Sequence, residues 1–431
     1  MKLIAFIVIA LSSRSEAFLA PTQKPGYESR TRRLLSRRPN RNERSVDVRV
    51  HETSFILKPD NATNILYQDR KFYRPWRRRA HYPNESHISF PYKYNELVIP
   101  STGGVDDKKT RITLLIQPIG VGIGRWYYDR LLAEFQSFRY KESDGRNIFL
   151  APDLLGCGSA CHADLISSEG SYSLQQLPLL NVNNWSDQLI DLMSKYENDL
   201  GTSEVEWCVV SNGGCVPIAL EIAKQYVDNP ILLQGTLTNL ILSATPSATG
   251  LMRPQDVEKV QKAYKTLSGV SGKLFWWYAL RNEGAFIQKF SEKNLASRAE
   301  NLGSEWTPKC VETARAFGGR SRFSTFAFLA GSLNGGNEDR FKALKGRNEL
   351  QIDVITGRDT RSNPAKSWFW ERRRDNKTTV LAEEVVEKTS LVQLLKENGN
   401  SGREGFVKGR RCPAHEDAKG FSNKVMQLLR G

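Results

Sequence analysis

The stretch WCVVSNGGCVPIAL, residues 207–220, decides how the chain folds. An apolar run from Trp207 to Val210 meets Ser211, Asn212, Gly213 and Gly214, and an apolar-periodic run then continues to Val227. That order is a strand turning sharply into a helix, and a serine on such a turn presents its hydroxyl for nucleophilic chemistry. The turn requires small residues two places before and two places after its centre. With Ser211 at the centre, Gly213 meets the second requirement, and Val209 fits the first only if the neighbouring helix leaves room. Centring the turn on Gly213 instead would leave no nucleophile at all, and the S-x-G-G form favours Ser211. A serine that merely caps the helix "GGCVPIAL" is the structural alternative.

On both sides of this stretch, short apolar runs alternate with amphipathic ones, the signature of a mostly parallel α/β sheet flanked by helices. RITLLIQPI (from Arg111), NIFLAPDLL, EVEWCVV, LTNLILSA and LQIDVITG are the expected strands. GRWYYDRLLAEFQSF, NWSDQLIDLMSKYEN and VPIALEIAKQYV are the helices. Residues 46–100 alternate polar and aromatic stretches and suit short antiparallel strands. Residues 245–349 are helical and rich in aromatics, as in GKLFWWYALRNEGAFIQKF, and form a cap inserted between two strands.

The net charge of +15 sits mostly in residues 1–80, which hold 18 Lys or Arg against 7 Asp or Glu. The body is therefore close to neutral, and nucleic acid is not an expected partner. Lys2 followed by LIAFIVIAL and the small residues Ser15 and Ala17 reads as a signal peptide over 1–17, too short an apolar run to span a bilayer. The Arg- and Ser-rich stretch over 18–45 reads as transit-like, so import into a complex plastid is expected, with secretion as the alternative. Sequons at Asn61, Asn84, Asn184 and Asn376 suit secretion. The expected layout is completed by a core in two parts, 46–244 and 350–431, with no transmembrane segment in the mature chain. Six thinly spread cysteines suit buried thiols rather than a disulfide framework. No Walker loop, dinucleotide fingerprint or H-E-x-x-H is present, so no cofactor or metal is expected.

From about Arg111 onward the chain resembles the α/β-hydrolase superfamily, in particular its plastid-targeted, pheophytinase-like esterase branch. Four landmarks carry the resemblance in order: LLIQPIGVGIGRWYYDRL, FLAPDLLGCGSA, WSDQLIDLM and SNGGCVPIAL. It implies Ser211 as nucleophile and the backbone N–H groups of Ile119 and Asn212 as the oxyanion hole. It also implies Asp359, in VITGRDTRSNP, as the acid. The family histidine stands in a G-H-C-P-H-like stretch, which here reads GRRCPAHED, so Arg411 occupies its place and His415 lies four residues later. Arginine stays protonated and cannot be a general base, so the triad is degenerate unless His415 completes it. His162, after GCGSAC, and Arg411 are candidate substrate contacts. The expected activity is that of a serine esterase acting on a small hydrophobic ester. The alternative is a catalytically inactive binding or scaffold protein.

Overall fold

A computed structural model of the chain describes residues 48–57, 87–100, 109–137, 145–358 (except 168–169, 175–176, 202–203, 247 and 348), 391–397 and 402–430. The expected signal and transit segments, the sequons at Asn61, Asn84 and Asn376, and Asp359 lie outside these residues.

Strands β1 (Val48–Leu57) and β2 (His87–Ile99) are antiparallel partners of 10 and 13 residues, longer than the short strands expected there. β3 (Lys109–Ile116) leads through a glycine-rich loop to helix α1 (Asp129–Ser137) and then to β4 (Arg146–Pro152). A small hairpin, β5 (Asp164–Ser167) and β6 (Gly170–Ser173), precedes α2 (Val182–Leu200). Asn181 caps α2 reciprocally with Asn184, as residues at these positions do to satisfy the free N–H groups of a helix start. β7 (Glu204–Asn212) runs into α3 (Val216–Asp228), followed by β8 (Thr236–Ser243). The next hundred residues hold α4 (Ala248–Met252), α5 (Val257–Leu267), α6 (Val270–Leu280), α7 (Ala285–Asn294), α8 (Trp306–Gly319), α9 (Arg322–Ala330) and α10 (Glu338–Ala343). β9 (Gln351–Arg358), α11 (Leu391–Glu397), β10 (Glu404–Lys408), α12 (Pro413–Glu416) and α13 (Ala418–Leu429) complete the described order.

The ten strands form one sheet in the order β10-β9-β8-β7-β3-β4-β2-β5-β6, with β1 on β2. β4, β3, β7, β8, β9 and β10 pair in parallel, and β2 joins β4 antiparallel. This is the α/β-hydrolase fold: the chain reverses direction of travel at β3, and β7 lies at the centre. Alternate residues of the parallel strands enter different cores. Ile112, Leu114 and Ile116 of β3 join Trp185, Leu189 and Ile218 of α2 and α3, whereas Leu115 joins Leu131, Phe135, Phe421 and Val425 of α1 and α13. Both faces are thus covered by helices, which is why these strands read as unbroken apolar runs rather than alternating ones.

Candidate functional site

The strand β7 continues through Ser211 and Asn212, two residues further than EVEWCVV suggests. Ser211 pairs with Ile116 on one side and Leu242 on the other, and is fully buried. The left-handed residue of the strand-to-helix turn is Gly213, at φ +61°, and a 3-10 turn over Gly213–Cys215 opens α3. A Cβ built on Gly213 meets nothing within 4 Å, so the apex faces open space. The small residues two places either side are then Ser211 and Cys215, both buried. The left-handed apex of the turn thus lies two residues beyond Ser211, which is buried in the strand before it.

The other expected site residues follow from this shift. With Gly213 at the apex, the residue that follows it is Gly214, and Asn212, the expected oxyanion donor, precedes it. Asn212 is extended, and its side chain is fully engaged: Nδ2 donates to Arg411 O at 3.1 Å and Oδ1 accepts from Ser243 Oγ at 2.9 Å. Ile119 lies in the loop after β3 as expected, buried, and its backbone hydrogen-bonds the Cys215 sulfur. Burial pushes the Cys215 thiol well up despite that bond, which disfavours a thiolate there.

The structure does not bring His415 to Ser211. Ser211 Oγ is buried and has no hydrogen-bond partner. His415, on α12, donates from Nε2 to Leu302 O at 3.0 Å. Its ring stacks on Tyr127 with centroids 5.9 Å apart and meets Trp306 edge-on at 4.7 Å. Burial lowers its pKa from the usual 6.5, chiefly through loss of solvation, so the ring is neutral at neutral pH. It is a core histidine holding α12 against the segment around Leu302. Arg411 does come beside the elbow, since its carbonyl accepts from Asn212 and its N–H donates to Leu295 O. Arg411, which stands where the resemblance implies a histidine, is therefore adjacent to the turn.

Three further contributors escaped the sequence reading. Asp153, at the end of β4, is buried and gathers the loop DLLGCGS around itself. Its Oδ1 accepts from Arg125 N at 2.7 Å, and its Oδ2 accepts from Arg125 Nη1 at 2.8 Å, Ser159 N at 3.0 Å and Ser159 Oγ at 2.7 Å. Gly158 is at φ +48°, and a Cβ there would lie 2.0 Å from Asp153 Oδ1, which is why DLLGCGS needs its second glycine. The stretch was legible as a landmark of the fold; the role of its aspartate was not. Second, α9 lies directly on the elbow and on the loops after β3 and β4. Thr325 Oγ1 donates to Gly120 O at 3.1 Å, Ser324 Oγ to Gly156 O at 2.6 Å, and a Cβ on Gly214 would lie 2.4 Å from Phe328 Cε2. Third, α8 closes on the same loop, leaving 1.8 Å between a Cβ on Gly122 and Cys310 O.

His162 lies apart from the elbow residues, on a cavity of about 600 Å³ that it lines with Ser268, Lys273, Phe317, Arg320, Arg322 and Phe323. Its Nδ1 accepts from Arg320 Nη1 at 2.7 Å, and its Nε2 lies 3.3 Å from Asp164 Oδ1. That arrangement fixes the tautomer and holds the guanidinium.

No protein-family model matches the chain, and no curated protein matches it. Solved structures do resemble it. A peroxisomal alpha-beta-hydrolase from Saccharomyces cerevisiae is 12% identical over 89% of this chain and 90% of its own, with a TM-score of 0.47. A probable hydrolytic enzyme from Pseudomonas aeruginosa is 13% identical over 79% and 91%, at 0.48. A thermophilic esterase from Thermogutta terrifontis is 14% identical over 79% and 94%, at 0.42. These neighbours are hydrolases of the α/β-hydrolase fold, and at such identities and TM-scores the likeness says nothing of this chain's activity.

Proposed function

We propose that this chain uses the α/β-hydrolase fold to bind a small molecule without hydrolysing it through an acyl-enzyme. The observation that carries this reading is Gly213 at the apex of the elbow, at φ +61° and facing open space. Nucleophilic catalysis needs a hydroxyl or thiol at that point with a base in hydrogen-bond reach. The apex has no side chain, Arg411 stands where the resemblance implies the histidine, and His415 Nε2 is held by Leu302. The ligand site in this reading is the cavity beneath His162 and the cap helices.

A second reading, a serine esterase acting on a small hydrophobic ester, has one observation in its favour: Ser211 Oγ is buried next to the elbow with every hydrogen-bonding capacity unused. Covalent labelling of the full chain by a fluorophosphonate probe, followed by intact mass, separates the two. The binding reading expects no adduct on folded protein. An adduct that disappears in Ser211→Ala would replace it with the esterase.

Import into a plastid belongs to the same proposal, supported by the order of the first 45 residues: charged start, apolar run, small residues, then arginines and serines. Residues 1–45 fused to a fluorescent reporter are expected to deliver it to plastids. Delivery to the medium would instead make the protein secreted.

A further inference from the structure

Helix α6, Val270–Leu280, is apolar on two opposite sides. Gly272, Trp276 and Ala279 are buried against the cap, while Val270, Leu274 and Trp277 are 74, 55 and 61% exposed. At 100° per residue the three exposed side chains fall within an arc of about 60°, and Lys273 borders it. Scattered apolar residues on a surface are ordinary; a row of three on one helix face marks a contact surface.

Cations surround this row. The Arg281 guanidinium lies 5.6 Å from the Trp277 ring centre and 4.3 Å from that of Tyr278. Lys273 opens onto the cavity that also holds Arg320 and Arg322. Lys273 and Arg322 form no ion pair among the described residues, and Arg322 Nε is buried without a hydrogen-bond partner. Phe317, at the same cavity, is 49% exposed and held at φ +51°, a conformation that costs a phenylalanine energy.

We propose that the cap docks on an anionic phospholipid surface, with Val270, Leu274 and Trp277 entering the acyl boundary and headgroup phosphate taken by the cavity of Lys273, Arg320 and Arg322. A tryptophan beside basic residues suits the headgroup level, where its ring is half in and half out of water. An 11-residue helix spans about 16 Å, half of a bilayer core, and no helix among the described residues is long and apolar enough to cross a membrane, so α6 lies in the plane of the interface. A second copy of the chain is the poorer occupant, since a two-fold contact through this face sets Lys273 and its neighbouring arginines against themselves. In the binding reading the headgroup is then the ligand of that cavity; the docking of α6 itself does not depend on that reading, so a fluorophosphonate adduct at Ser211 would leave it standing.

All six cysteines are buried, so Leu274→Cys in the full chain offers one accessible thiol for an environment-sensitive NBD label. The label reports on α6 itself, whatever the basic N-terminal residues do. Its emission is expected to brighten and shift blue with vesicles of phosphatidylcholine plus phosphatidylglycerol, and to stay unchanged with phosphatidylcholine alone. Lys273→Gln in the labelled chain should weaken the response on the order of fivefold, the effect of one cation at an anionic surface. A label at Val270→Cys should behave in the same way and guards against a local fault at one position. No response to either vesicle, or an equal response to both, overturns the proposal. So does a shift without vesicles that grows with protein concentration, which would mean a second copy covers the face. Protection of the fold by inorganic phosphate with no vesicle response would make the cavity a site for a soluble phosphate, and would overturn it too.

Discussion

His415 illustrates how a residue can match a motif and serve another purpose. Its burial lowers its pKa below 6.5, so in the window between the lowered value and 6.5 the unfolded chain binds the proton and the folded chain does not. Stability therefore rises with pH across that window and is lost as pH falls through it. The urea midpoint is expected to drop on acidification from neutral pH, with a smaller drop in His415→Phe. That variant also gives up the Leu302 bond, costing about 1 kcal/mol at neutral pH. An unchanged pH slope in the variant would mean another group carries the dependence. Gly213 shows the complementary case. The letters S-N-G-G-C admit two elbows, one centred on Ser211 with Gly213 as its one small flanking residue and one centred on Gly213 with Ser211 and Cys215 as both. What separates them is a backbone dihedral, and a glycine leaves no trace in a sequence of whether its φ is positive. Asp153 was hidden for a related reason: its value lies in four donors brought together by a loop, two of them from a residue 28 positions earlier.

At the level of elements, the fold was far more legible than the site. β3, β4, β7, β8 and β9 are apolar on both faces, because helices cover both, and α1 and α2 show one apolar side, whereas the first two turns of α3 are buried all round. Periodicity carries that information residue by residue. It carries nothing about where a cap helix rests. α9 settles on the elbow through Phe328 and on the loops after β3 and β4 through Thr325 and Ser324, three residues that read only as part of an aromatic helix. The contact makes a double-mutant cycle possible. In Gly214→Ala the new methyl would sit 2.4 Å from Phe328 Cε2, so something must shift, and overpacking of this kind costs about 1–3 kcal/mol. Combined with Phe328→Ala the methyl has room, and the two losses should fall short of additivity by on the order of 1 kcal/mol in urea denaturation. Strict additivity would mean that α9 does not rest on the elbow.

The whole molecule faces a problem that its sequence order creates. β8 ends at Ser243 and β9 begins at Gln351, so the sheet must be rejoined after more than a hundred residues of helix, and closing such long-range contacts is entropically costly. Asp353 and Arg403 secure the far edge. Asp353, in β9, is fully buried. It accepts from Arg403 N at 3.2 Å, Arg403 Nε at 3.0 Å and Arg403 Nη2 at 2.9 Å, with Gln351 Nε2 at 2.9 Å as a further donor. Arg403 Nη2 also donates to Leu428 O, so one guanidinium ties β9, the entry to β10 and the end of α13. Arg403→Met strands a buried carboxylate and should cost about 3 kcal/mol, since breaking such a pair is worse than never having it. Asp353→Leu with Arg403→Met removes the charge along with its partner. The double variant should therefore be more stable than Arg403→Met alone, as read from urea midpoints at neutral pH. A double variant no better than the single one would mean that this edge is held by the hydrogen bonds to β10 and α13, with the ion pair contributing register rather than stability.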